Sequence, residues 1–218
     1  MLKLSNISTS IQGTPILRDV DLHVPKGQMI GLIGRNGAGK TTIMKTIMGI
    51  LPSSSGSLLI DGQDLTKSGA HERSKLKVGF MPEDRRLIPT LTVEENILIP
   101  AWANDIHDAE ARLAWIYELM PEVEGFAERK ALQLSGGQQK LVALARALMS
   151  GVHVLLLDEP FEGVAPALSR RLLTVLQTLK EEGLSVLLSE SDYTHSADLV
   201  DSVYIIERGS VKAQAATA

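Results

Sequence analysis

The sequence predicts an α/β fold: a mostly parallel sheet of buried strands, interrupted by a helical insert. Three observations lead there. Apolar runs without alternation, MIGLIG at 29–34, HVLLLDE at 153–159 and LSVLLSE at 184–190, read as strands covered on both faces, as parallel sheets are. Between the last two, Leu172, Val175, Leu176 and Leu179 recur at helical spacing, which completes a strand, helix, strand unit. From about 92 to 149 the whole stretch turns helical in period.

Taken in chain order, LRDVDLHV at 17–24 alternates like a half-buried strand and leads into the buried run at 29–34. After Gly39, Ile43, Ile47 and Ile50 mark one face of a helix ended by Pro52 and the polar turn Ser53-Ser54-Ser55-Gly56. SGSLLIDGQDL at 55–65 has the pattern of a hairpin. In the helical stretch, Leu113, Ile116, Leu119 and Met120 form one stripe, and Leu141, Leu144, Ala145 and Leu148 another; both read as core packing. Gly183 ends the helix that precedes the last buried run. No repeat, low-complexity tract or linker divides the chain, so one compact unit is expected of its 218 residues.

Composition narrows the function classes. Hydrophobic residues at 44% and charged residues at 22% are those of a globular protein. The net charge of −4 comes with scattered Lys and Arg, so the basic footprint of a nucleic-acid binder is missing. With no cysteine, disulfides and thiolate metal sites are excluded, which is compatible with a reducing compartment. The stretch MLKLSNISTS lacks the apolar core of a signal peptide, and VLLL at 154–157 falls far short of the ~18 residues of a spanning helix. A membrane role would need a partner.

GLIGRNGAGKTT at 31–42 sets Gly34, Gly39, Lys40 and Thr41 in G-x-x-x-x-G-K-[ST] spacing, after a buried strand and at the mouth of a helix. Its glycines let backbone N–H groups curl around a β-phosphate, Lys40 reaches the β/γ oxygens, the Thr41 hydroxyl suits Mg2+, and Thr42 can reach the α-phosphate. VLLLDEP at 154–160 ends a buried strand on two carboxylates, which is costly without a cation. Asp158 would hold Mg2+ through water, and Glu159 could polarise the water that attacks a γ-phosphate. A second glycine pair, in QLSGGQQK at 133–140, opens another helix, where an anion is the usual visitor.

GRNGAGKTT, LSGGQQ and VLLLDEP, in that order, resemble the ATP-binding cassette (ABC) ATPases over essentially the whole chain. The resemblance implies a single ABC ATPase domain over 1–218. Its P-loop NTPase core would lie at 1–90 and 150–218, with an N-terminal antiparallel β subdomain and an inserted α-helical subdomain at about 91–149. ATP and Mg2+ follow as ligands. Gly34, Arg35, Asn36, Gly37, Ala38, Gly39, Lys40, Thr41 and Thr42 would hold the nucleotide, and Thr41 and Asp158 the metal. In the family two cassettes pack head to tail, so Ser135 as N-cap, with Gly136, Gly137 and Gln138, would close over the γ-phosphate of a second ABC ATPase subunit. The other implied partners are transmembrane permease subunits. That places the chain peripherally, at the cytoplasmic face of the membrane.

Several positions depart from the family pattern. Glu83 stands where the family has a Mg2+-sensing glutamine that also contacts the membrane subunit; a carboxylate is the better Mg2+ ligand but adds negative charge. PEDRR followed by LTVEEN, and EGVAP at 162–166, resemble the ATPases of branched-chain amino acid importers, leaving Ala165 where other cassettes carry an aspartate. Ser191 falls at the switch-histidine position as a catalytic candidate with a shorter reach. His195, four residues on and expected on the same helical face, reads as solvated. Ile11 aligns with the ring that stacks on adenine, keeping apolar contact at a cost of ~1 kcal/mol in lost stacking. The implied function is an ATPase driving a transporter, an importer of branched-chain amino acids or related small polar solutes. The alternative, motivated by Ile11, Ala165 and Ser191, is a regulatory, weakly hydrolysing subunit of a heteromeric transporter. GTP is disfavoured, because TKSG at 66–69 lacks an aspartate to read guanine.

Overall fold

A computed structural model describes residues 1–151, 153–192 and 194–214. Two sheets form. β1 (Leu2–Ile11), β2 (Thr14–Val24), β4 (Ser55–Ile60) and β5 (Gln63–Asp64) make an antiparallel sheet in the order β2-β1-β4-β5. β3 (Met29–Ile33), β6 (Val78–Met81), β7 (Val154–Asp158), β8 (Ser185–Glu190), β9 (Ser202–Glu207) and β10 (Ser210–Gln214) make the central sheet, ordered β10-β9-β3-β8-β7-β6. Every pairing in it is parallel except β9 with β10. Helices α1 (Lys40–Ile47), α2 (Ala70–Arg73), α3 (Val93–Asn104), α4 (Ala109–Leu119), α5 (Pro121–Glu124), α6 (Gly136–Ser150) and α7 (Pro166–Glu181) fill the connections.

The unbroken apolar runs have a direct cause. Along β7, Leu155 and Leu157 face a cluster shared with α6 and α7, while Val154 and Leu156 face one shared with α1 and the antiparallel sheet. β8 divides the same way, Val186 and Leu188 against Leu187. A strand pressed on both faces has no position for a polar residue until its end. There the carboxylates of the candidate site begin.

The alternation read at 17–24 holds from Val20 to Val24. Between Leu17 and Val20 the register slips at a bulge around Asp19, whose φ is 45°. The hairpin read at 55–65 forms with Asp61 and Gly62 at positive φ, the twist a two-residue turn needs. Ile50 corrects the sequence reading. The chain leaves α1 at Gly49 (φ 69°), the buried Arg73 guanidinium takes the carbonyls of Thr46 and Ile47, and Ile50 lies outside the helix, 52% exposed. Of the first helical stripe, Ile116 and Met120 are buried, whereas Leu113 and Leu119 pack at its margin.

The β9–β10 turn braces the phosphate loop. Gly209 N–H donates to Ala38 O at 3.0 Å and Gly209 O accepts from Arg18 N–H at 2.9 Å. At φ 81° a Cβ on Gly209 would meet Ile16 O at 1.8 Å. Gly209→Ala is therefore expected to cost about 3 kcal/mol or more, a fall in Tm of roughly 6–12 °C, measurable by thermal unfolding of the purified variant.

Candidate functional site

β3 delivers the chain to the phosphate loop and α1 carries it away. Gly34 must be glycine, since a Cβ there would lie 2.4 Å from Ile206 O, and its N–H is fixed on Glu190 O at 3.1 Å. Gly37 and Gly39 hold φ of 80° and 117°, which curls the backbone before Lys40. Gly39 is the N-cap of α1 without a side-chain cap, so the first N–H groups of the helix are left for a ligand. Arg35, Asn36 and Gly37 are exposed along the loop, Ala38 and Thr41 are half-buried, and Lys40 is buried.

Lys40 Nζ donates to Gly34 O, to Arg35 O at 3.3 Å, and pairs with Glu159 Oε1 at 2.9 Å. Both partners of the ion pair are buried, Lys40 at 5% and Glu159 at 6% exposure. Glu159 Oε1 also accepts from Ser191 Oγ at 2.8 Å, and Ser191 Oγ lies 2.8 Å from Asn36 Oδ1. One hydroxyl proton cannot serve both acceptors; with the Asn36 amide turned over, its NH2 would donate to Ser191 while Ser191 donates to Glu159. Lysine, base candidate, Ser191 and the phosphate loop thus form one hydrogen-bonded ring.

Asp158 lies one residue earlier on β7, fully buried. Its Oδ1 accepts from Ser189 Oγ at 2.7 Å, while Oδ2 is buried without a partner. Burial raises its pKa, opposed first by the Ser189 hydrogen bond and then by the nearby Thr41 hydroxyl. A buried carboxylate oxygen with nothing to bind, beside a threonine hydroxyl, fits a hard cation. Among the described residues no three His, Cys, Asp or Glu side chains converge to hold a metal unaided, so the remaining ligands would come from phosphate and water. Glu83 sits on an exposed loop after β6, its pKa raised first by partial burial and then by Glu162, Asp158 and Glu159. The structure therefore groups Glu83 electrostatically with these carboxylates.

Ser135 caps α6: its Oγ accepts from Gln138 N–H at 3.3 Å, and Gln138 Oε1 accepts from Ser135 N–H at 3.0 Å. Gly136 and Gly137 also have protein neighbours, which the sequence did not disclose. A Cβ would stand 3.1 Å from the Arg85 guanidinium at Gly136 and 2.7 Å from Leu168 Cδ2 at Gly137. Arg85 itself donates to Gln139 Oε1 at 3.2 Å, and Arg146 on α6 donates to the carbonyls of Arg85 and Arg86 at 2.5 and 2.7 Å. The loop after β6 is thereby pinned to α6.

His195 is exposed, as expected, but not on a helix: residues 194–199 form turns, and its ring tilts against Phe161 with centroids 5.3 Å apart. Ile11 is 39% exposed and shares with Thr42 the lining of a groove of about 640 Å3, together with Ile50, Phe80, Ile99 and Pro100. Sequence reasoning missed Ser189, which bridges Asp158 Oδ1 and Glu159 N–H, the latter at 3.1 Å. It missed Glu190 as well. Buried at 3% exposure and accepting from Ser196 Oγ, Glu190 has its pKa pushed up to about 7, by burial first and by the charges of Glu159 and Asp192 against the Ser196 hydrogen bond.

Because that pKa exceeds the ordinary 4.5, the folded state holds a proton the unfolded chain has released. The stabilisation is complete at acid pH and is lost as pH rises through about 7. The nucleotide-free protein is expected to lose several degrees of Tm between about pH 5 and about pH 8, and Glu190→Gln to flatten that part of the profile. A pH series of thermal melts on both proteins checks it.

The sequence profile described as "ABC transporter" matches residues 17–162. The high-affinity branched-chain amino acid transport ATP-binding protein BraG of Pseudomonas aeruginosa is 35% identical over 211 residues, covering 97% of this chain and 91% of the relative. The lipopolysaccharide export system ATP-binding protein LptB of Escherichia coli is 32% identical over 210 residues, covering 95% and 87%. Among solved structures, the dimeric post-hydrolysis state of an ATP-binding cassette bound to ADP and Pi superposes with a TM-score of 0.86 at 26% identity, each chain covered in full.

Proposed function

Because this chain belongs to the ABC transporter family, we propose that its ring of Lys40, Glu159, Ser191 and Asn36 is an ATP-hydrolysing site that energises an importer of branched-chain amino acids or related small polar solutes. The chain is an ATP-binding, ATP-hydrolysing transporter subunit; the solute is the inferred part. A relative of nearly equal identity is named for lipopolysaccharide export, so PEDRR, LTVEEN and EGVAP, together with the BraG likeness, carry the choice. We read residues 1–218 as one cassette, with core 1–90 and 150–218 and a helical subdomain at about 91–149.

The observation that carries the site assignment is the buried Lys40–Glu159 pair inside the phosphate loop. Lys40, which would bind phosphate, pairs here with Glu159, which would activate water. A triphosphate seated on the loop substitutes its own oxygens at Lys40 Nζ and leaves Glu159 free to accept a proton from the attacking water. Ser191, donating to Glu159 Oε1, keeps the carboxylate aimed when the lysine lets go. Thr41, Asp158 Oδ2 and, from the loop after β6, Glu83 would hold Mg2+, which supplies charge neutralisation between the phosphates. Gly34 to Thr42 cradle the phosphates, with Ile11 beside the base.

Ser135, Gly136, Gly137 and Gln138 then serve the nucleotide of a second cassette, identical or homologous, in a head-to-tail dimer. Among the described residues no helix is long and apolar enough to cross a membrane, so contact with the bilayer would run through permease subunits. We read the chain as a peripheral subunit at the cytoplasmic face of the membrane.

The chain has no cysteine, which makes the test clean. Arg35→Cys and Ser135→Cys, introduced together in a Glu159→Gln background, should be joined between subunits by a short thiol crosslinker with Mg2+ and ATP, and not with ADP. Failure of that crosslink in the assembled transporter would remove the dimer reading. A purified chain that hydrolyses ATP unaided would dispose of the weakly hydrolysing alternative.

A further inference from the structure

Glu159 holds φ at 49°, in the left-handed region that a residue with a Cβ avoids. Such a backbone persists only where its surroundings over-determine it. Here both polar groups of the residue are fixed. Its N–H is accepted by Ser189 Oγ at 3.1 Å, and its carbonyl accepts from Lys140 Nζ at 2.9 Å. The same ammonium donates to Pro160 O at 3.1 Å and to Glu162 O. Three N–H bonds thus go to three carbonyls in one short segment, from a lysine only 4% exposed.

Charge pairing does not account for this lysine. The ion pairs of the described residues do not include it, and it meets Glu159 and Glu162 through backbone oxygens, not carboxylates. An ammonium is the side chain that can serve three acceptors at once, and burial without them would be costly. Lys140 is anchored on α6, the helix that Ser135 caps, so it ties the mouth of that helix to the turn that carries Glu159.

We propose that Lys140 is a positioning residue for ATP hydrolysis: from α6 its ammonium locks residues 159–162 into the left-handed turn that aims the Glu159 carboxylate at Lys40 and Ser191. The lock is a link between two half-sites. The helix end offered to a neighbour's nucleotide and the base acting on this chain's own nucleotide are held by one side chain. The inference rests on the reading of Glu159 given above.

The experiment measures steady-state ATPase activity and ATP binding of the full chain with Lys140→Met, which keeps length and removes every donor, and with Lys140→Gln, which keeps some. For Lys140→Met, kcat is expected to fall roughly 10- to 100-fold, with KM and Kd for ATP held within about twofold. Lys140→Gln should fall between it and the wild type. Arg171→Met, which breaks the Glu122 ion pair at 2.6 Å elsewhere on the helical side, should leave kcat unchanged. The proposal is overturned if Lys140→Met keeps the wild-type kcat, or if kcat, ATP affinity and the folded fraction fall together, as they would for a lysine that merely supports the fold. Glu159→Gln at wild-type rate would instead overturn the reading of Glu159. An inactive Glu159→Gln beside a fully active Lys140→Met removes only the role given to Lys140.

Discussion

Glu159→Gln is expected to bind ATP at least as tightly as the wild type while hydrolysing it roughly 10²- to 10⁴-fold more slowly. The amide has the carboxylate's shape and can still accept from Ser191 Oγ, so the ring around the phosphate loop keeps its geometry. What disappears is the charge. Without it Glu159 cannot take a proton from water, and Lys40 loses the partner that competes with phosphate at 2.9 Å. Tighter binding and stalled turnover from one substitution are the signature of a base that also restrains the lysine. With Mg2+ and ATP the variant should run as a dimer on gel filtration. Wild-type turnover by this variant would take away the proposed chemistry.

Lys40→Met should be damaging for two separable reasons. Charge-assisted hydrogen bonds to phosphate contribute about 1.5–3 kcal/mol each, so the Kd for ATP should rise roughly 10- to 100-fold. Independently, the variant leaves the Glu159 carboxylate, 6% exposed, without its cation, which costs about 3–5 kcal/mol, a drop in Tm of roughly 6–20 °C. The double variant Lys40→Met with Glu159→Gln separates the two. It should recover the stability and not the binding, because the buried charge is gone while the phosphate contact is still missing. Thermal melts and calorimetric titration of the three variants read both arms. A Lys40→Met protein as stable as the wild type near neutral pH, without added nucleotide, would show that the ion pair contributes nothing to stability.

The parts of the site legible in the sequence are those whose chemistry is local. Gly34, Gly39, Lys40 and Thr41 are set by spacing along one loop, Asp158 and Glu159 by the end of an apolar run, and Ser135 by the glycine pair that follows it at the mouth of a helix. What stayed hidden acts across the sheet. Ser189 reaches Asp158 from the neighbouring strand, 31 residues away, Lys140 crosses from α6 over 19 residues to Glu159 O, and Ser191 meets Asn36 over 155. No periodicity announces such pairs, because a serine or lysine at the end of a strand or inside a helix reads as solvent-facing until the fold brings its partner. Ile50 and His195 were misplaced on helices for the opposite reason. Local spacing suggested helical faces that Gly49 and the turns at 194–199 do not continue.

β7, pressed between two clusters, has a consequence for how this chain can change. Exchanging one branched aliphatic residue for another along Val154–Leu157 alters volume by little and should be tolerated. Adding or deleting a single residue there would invert the strand's facing by half a period, sending each side chain to the opposite core and turning Asp158 and Glu159 away from the loop. Among descendants of this sequence, the spelling of that strand is free to drift, while its length is not.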